Sequence, residues 1–320
     1  MKFAILALEG VFDTGLTVLL DAFTTANELA ALQMGGEPRL EVSVVGLRDK
    51  VTTGLGMQVA VQPVKPDLKP DWVIIPALNT KMPEQLLPSL AREDMVEAQA
   101  QLRAWHANGV GIGASCIGTF LLAESGLLDG HEATTTWWLA PLFRQRYPQV
   151  RVDEARMLVP SENLVTAGAA MGHLDLALWL IGKTSPDLAT LVARYMLADL
   201  RSSQAQYVIP GHLAHADPVI ERFERWARGR LHAGFSLQEG AKALAISPRT
   251  LQRRMESVLG KSPLAFFQDL RVEHARHLVR TSSLDLDTIA AEVGYVDGAT
   301  LRTLLRRRLG RGVRELRADR

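Results

Sequence analysis

A single cysteine, Cys116, stands in 320 residues. That count excludes internal disulfides and any cysteine-cluster metal site, and it is compatible with a reducing compartment. Long uncharged apolar runs are also missing. No stretch nears the ~18 consecutive apolar residues of a membrane span. The first ten residues, MKFAILALEG, are apolar but meet Glu9 too soon for a signal peptide. Periodic repeats and low-complexity tracts are absent as well. A cytoplasmic protein with no membrane partner, no cofactor and no metal is the expectation.

What is present is ordinary globular material. Hydrophobic residues make up 47% of the chain and charged residues 22%, enough to bury a sizeable core. The length suits about two domains. The net charge of +1 hides an asymmetry: residues 216–320 hold 20 Lys and Arg against 13 Asp and Glu, and residues 1–215 hold 16 against 22. A basic end on a near-neutral chain points to an acidic partner, with nucleic acid the commonest.

The first half alternates two periodicities. Buried-strand signals at 3–8, 40–47, 71–78, 110–115 and 163–168 alternate with helical spacing at 14–29, 92–109 and 173–182. Gly109 is a stop signal for the second of those helices. The pattern predicts an α/β domain, flavodoxin-like, with a mostly parallel sheet covered by helices on both faces. Strand signals fade near residue 184. We place an α/β domain at 1–183, a linker at 184–215 and an all-α domain at 216–320.

The all-α end reads as two helix-turn-helix units. In FSLQEGAKALAISPRTLQRRMESVLG (235–260), Ser236 and Glu239 form a capping box and Ser247-Pro248 opens a second helix. Leu251, Met255 and Leu259 share one face and should pack inward. Arg249, Thr250, Gln252 and Arg253 are left outward, where arginine and glutamine can read purine edges in a major groove. The second unit, 285–310, starts at a cap candidate, Asp285, and turns at Gly294. One long helix, 262–282, separates the two.

SPRTLQRRM…LGKSPLAFFQDLRVEHARHLV followed by IAAEVGYVDGATLRTLLRRRLG resembles the DNA-binding domain of the AraC/XylS family. The resemblance implies two recognition helices entering successive major grooves of double-stranded DNA. It places Arg249, Gln252 and Arg253 at base edges in the first unit. The second unit departs from the family pattern. Leu301 and Leu305 replace its usual aromatics, Thr303 replaces a frequent arginine, and Gly298 and Ala299 begin the helix. Arg302 remains beside Thr303, and the run Arg306 to Arg308 looks suited to phosphate contact. The second unit is therefore expected to specify less.

Cys116 sits in VGIGASCIGTFLLAESG, a strand, a sharp turn and a helix, which is the order of a nucleophile elbow. A helix N-terminus nearby should favour the thiolate. GASCIGTFLLAESGLLDGHEATTTWW and VTAGAAMGHLDLALWLI resemble the GlxA family, whose N-terminal half is a class I glutamine amidotransferase-like domain of the PfpI type. The resemblance implies an elbow cysteine at Cys116, but much of the catalytic kit is missing. Gly15 stands at the acid position, Ile117 follows the cysteine where histidine is frequent, and Thr136 replaces the histidine of TTHW. Glu9 and Asp13 lie near enough in sequence to substitute in part.

No catalytic residue is assigned. Glu9, Ala77, Leu78, Cys116, Ile117, Thr136, Trp137 and Gly168 are candidates for a pocket that takes a small-molecule effector at the carboxyl ends of the strands. The expected protein is a homodimeric DNA-binding regulator. The alternative is a cysteine-dependent hydrolase or hydratase with an attached DNA-binding domain.

Overall fold

Five short apolar runs, Lys2–Leu6, Glu41–Gly46, Trp72–Ile75, Gly111–Ser115 and Leu164–Ala167, become the parallel strands of one sheet. In the computed structural model, which describes residues 1–35, 37, 39–65, 68–198, 203–204, 207–215 and 217–318, two further strands edge the sheet. Gln62–Pro63 pairs parallel with Glu41–Gly46, and Leu158–Ser161 pairs antiparallel with Leu164–Ala167. The Lys2–Leu6 strand sits between Glu41–Gly46 and Trp72–Ile75, and Gly111–Ser115 follows on the far side. This is a flavodoxin-like order. The antiparallel edge strand was not expected.

Side-chain alternation divides the core into two layers. Phe3, Ile5, Ile74 and Val165 point to one face, with Leu16, Leu19 and Phe23 of the Asp13–Gln33 helix and Leu176 and Leu180 of the Gly172–Thr184 helix. Ala4, Leu6, Val73, Ile75 and Ile112 point to the other, with Leu102 and Trp105 of Glu93–Ala107 and Phe120 of Gly118–Glu124.

The first unit comprises Met1–Phe143 with Tyr147–Gln204, and the second is made mainly of Ala205–Arg320. The stretch read as a linker, 184–215, differs from that reading. Pro186–Tyr195 is a helix whose Leu188 and Val192 join the core of the first unit. Residues 199–202, 205 and 206, also in that stretch, lie outside the described residues.

The second unit contains helices Pro218–Arg228, Leu237–Ala243, Pro248–Leu259, Pro263–Thr281, Leu286–Glu292 and Gly298–Leu309. Their starts follow the sequence. Ser236, Ser247, Ser262 and Asp285 each accept the backbone N–H three residues on. Leu251, Met255 and Leu259 are buried in one helix, and Leu301 and Leu305 in its counterpart. The turns between paired helices need one left-handed residue, filled by Ala245 (φ 57°) in the first unit and Gly294 (φ 78°) in the second.

Candidate functional site

Cys116 forms an elbow. Its φ of 55° turns the chain out of Gly111–Ser115 and into Gly118–Glu124. A non-glycine residue is costly in that conformation, so the surroundings must hold it. They do so through its backbone. The Cys116 N–H donates to the Ala167 carbonyl at 2.7 Å, and the Thr135 hydroxyl donates to the Cys116 carbonyl at 2.8 Å.

The thiol is not activated. Cys116 is buried, and burial pushes its pKa up to about 12, although the Ile117 N–H and the Thr136 hydroxyl favour the ionised form. Desolvation of the charged form is the largest influence on the thiol. Thr136 lies close enough to the sulfur to matter, yet its hydroxyl makes no hydrogen bond of normal geometry.

The space of the missing acid is filled from within. His173, fully buried at the start of Gly172–Thr184, points its ring at Gly15. A Cβ added to Gly15 would lie 2.6 Å from His173 Nε2. His173 Nδ1–H donates to the Ala170 carbonyl at 2.6 Å, so Nε2 is the acceptor and takes the Ala77 N–H at 3.0 Å. Burial holds its pKa down at about 4. The ring is therefore neutral with both nitrogens engaged, and it consumes the Ala77 donor that was expected to face a ligand.

The other candidates separate. Ile117, Thr136, Ala77, Leu78 and Gly168 are buried around the elbow, and Trp137 is half-buried. Glu9 does not join them. It is exposed, and its carboxylate accepts the Thr52 N–H at 2.9 Å. Asp13 is buried but committed: the Thr53 hydroxyl donates to one oxygen and the Leu55 N–H to the other, at 3.0 Å. Neither carboxylate is an orienting acid for the thiol.

Two residues were not read from the sequence. His173 sits in the quoted stretch VTAGAAMGHLDLALWLI, where a lone polar residue at a helix start in an apolar run was its only signal. Gln204, fully buried, fell in the supposed linker and had none. Its Nε2 donates toward Thr135 O at 2.9 Å, with Thr134 Oγ1 and Arg156 O each at 3.2 Å.

The helix-turn-helix surface has the opposite character. Arg249 and Arg253 are exposed on Pro248–Leu259. Gln252 beside them donates to Glu256 one turn on. Thr250 caps rather than reads: its N–H donates to Ser247 Oγ at 3.0 Å, and the two hydroxyls pair at 2.8 Å. Arg254 is tied to Asp217 at 2.6 Å. On Gly298–Leu309, Arg302, Thr303, Arg306 and Arg307 are exposed. Thr303 bonds back to the Ala299 carbonyl at 3.1 Å. Arg308, expected among the phosphate contacts, instead pairs with Asp269 at 3.4 Å.

A family model described as a helix-turn-helix domain matches residues 241–319. The HTH-type transcriptional regulator GbdR of Pseudomonas aeruginosa is 26% identical over 212 residues, 65% of this chain and 56% of that protein. The HTH-type transcriptional regulator GlxA of Rhizobium meliloti is 27% identical, over 63% of each chain. The chain thus spans between about half and two thirds of the length of these relatives. Among solved structures, an AraC family transcriptional regulator from Pseudomonas putida is similar with a TM-score of 0.51 and 20% identity, covering 61% of this chain and 98% of its own. That likeness is one of fold. The chain thus ends in a helix-turn-helix domain, preceded by an α/β domain that shares its fold with that solved structure.

Proposed function

We propose that this protein is a cytoplasmic transcription regulator that binds double-stranded DNA through its two helix-turn-helix units. The observation that carries the reading is the exposed cationic face of the two recognition helices. Arg249, Arg253, Arg302, Arg306 and Arg307 have no ion pair among the described residues, while Arg254 and Arg308 on the same helices are paired with acids. Unpaired arginines along a helix face suit both phosphate and guanine edges. Base reading is assigned to Arg249, Gln252 and Arg253, and backbone contact to Arg302 and Arg306. A genome-wide map of bound DNA, followed by gel-shift titration at fixed salt, tests this. Failure to enrich any sequence would sink it.

The N-terminal domain is read as non-enzymatic. A protonated, buried thiol without a base or acid lacks the nucleophile–base pair that acyl transfer needs. Turnover of small amides, peptides or glyoxals that vanishes in Cys116→Ser would restore the hydrolase or hydratase reading. The same domain is proposed to hold a small polar effector near the elbow and to form a homodimer that brings two DNA half-sites together. A strict monomer at tens of micromolar in light scattering contradicts the dimer.

A further inference from the structure

We propose that Gln204 is an internal plug that occupies the effector site of the elbow and must leave for a ligand to enter. The proposal rests on the effector reading above and says what closes that site. Gln204 comes from the last part of the first unit, held along the sheet rim by an isolated bridge between Arg156 and Ser203 and by Gln204 N–H donating to Ala155 O at 2.8 Å. Its side chain then turns inward and is completely buried.

Three features make this seat a binding site rather than ordinary packing. Gly168 leaves the room. A Cβ there would lie 2.0 Å from Gln204 Nε2, so any larger residue would push the amide from its present place. The seat is joined to the elbow through one residue: Thr135 gives its carbonyl to Gln204 Nε2 and its hydroxyl to the Cys116 carbonyl. The seat is also incomplete. Gln204 Oε1 is buried with no hydrogen-bond donor. Native interiors rarely leave such a group unpaired, and one that persists often marks a ligand or water site.

The acceptors define the ligand. Thr134 Oγ1, Thr135 O and Arg156 O converge on the Gln204 nitrogen. Arg156 O keeps the Thr134 hydroxyl as a donor at 2.9 Å, so it is Thr135 O that anything displacing the plug must supply with a hydrogen-bond donor. The class is therefore a small molecule with a nitrogen that carries hydrogens, as in a primary carboxamide or an ammonium group. Gln204 is the last residue of the first unit, and the proposal extends to an effect of its displacement on DNA affinity.

The single cysteine makes the test clean. The full-length protein is labelled with iodoacetamide and the modified fraction followed by mass spectrometry. Gln204→Ala removes the plug, and Gly168→Ala expels it without altering it; melting curves check that each variant is folded. Labelling of Cys116 should be slow in the wild type and about tenfold faster or more in both variants. Acetamide or methylammonium should refill the seat in Gln204→Ala and slow labelling again, and tetramethylammonium, which has no N–H, should not. DNA affinity of Gln204→Ala should also differ from wild type. Unchanged labelling in folded variants overturns the plug. Equal protection by tetramethylammonium overturns the ligand class. Faster labelling with unchanged DNA affinity overturns the coupling. The labelling outcomes do not depend on whether the protein regulates transcription.

Discussion

The elbow and the recognition helices both carry polar residues, and they use them in opposite ways. At the elbow, burial has forced polar atoms to find partners inside the chain: His173 holds the Ala77 N–H, Thr135 holds Cys116, and Asp13 holds Thr53 and Leu55. On the recognition helices, Arg249, Arg253, Arg302 and Arg306 reach into solvent without an ion pair among the described residues. A polar group that has been paid for by an internal bond is scaffold. One that is solvated and unpaired is available to a partner. Residue type does not separate the two cases; desolvation does.

The sharpest way to break the comparison is to recharge the buried site. The pKa of His173 is about 4 in the folded chain and near 6.5 when unfolded. As pH falls from 6.5 to 4 the unfolded chain takes up the proton first, so stability is full above 6.5 and is lost on the way down. We expect a loss of about 3 kcal/mol over that window. Urea titrations at stepped pH should show the slope, and His173→Asn should lack it.

Gly15→Ala comes next. It drives a methyl group into the His173 ring, and overpacking of this kind costs about 2 kcal/mol, read as a lower urea midpoint with unchanged slope. Restoring a family acid there, as in Gly15→Glu, should therefore fail to create a catalyst. On the solvated side, Arg253→Ala should weaken specific DNA binding about tenfold, while Thr303→Ala, whose hydroxyl already bonds its own helix, should do little. Gel shifts at one salt concentration compare them, and equal losses would show that the second unit reads as much as the first. A small stabilising effect is expected at Ala245. Its left-handed conformation is occupied by Gly294 in the other unit, so Ala245→Gly should raise the melting temperature by an amount equivalent to about 0.5–1 kcal/mol.

Local features were legible in the sequence. The caps Ser236, Ser247, Ser262 and Asp285 act within one helical turn, and the inward Leu251, Met255 and Leu259 follow from helical period alone. The order of strands and helices likewise gave the sheet. What the sequence hid was distance. Ala77 and His173 are 96 residues apart, and nothing local announces their bond. Gln204 looked like a linker residue because its neighbours carry no apolar period. Cys116 was placed on its turn from the sequence, but how far its thiol is desolvated was not legible there, because burial is set by the whole fold.

The two recognition helices also differ at their caps. Ser247 closes the first with a neutral hydroxyl, whereas Asp297 closes the second with a carboxylate whose pKa is lowered chiefly by the Thr300 N–H. A helix N-terminus carries a fractional positive charge that welcomes an anion. The serine leaves that charge in place; the aspartate cancels it. On the proposed reading, the N-terminus of the first helix therefore remains open to a DNA phosphate beside its base-reading arginines. At the second it meets a negative charge there, and its favourable approach is from the flank, along Arg302 and Arg306. One side-chain atom at each cap thus sets the angle from which each half of the domain can be addressed.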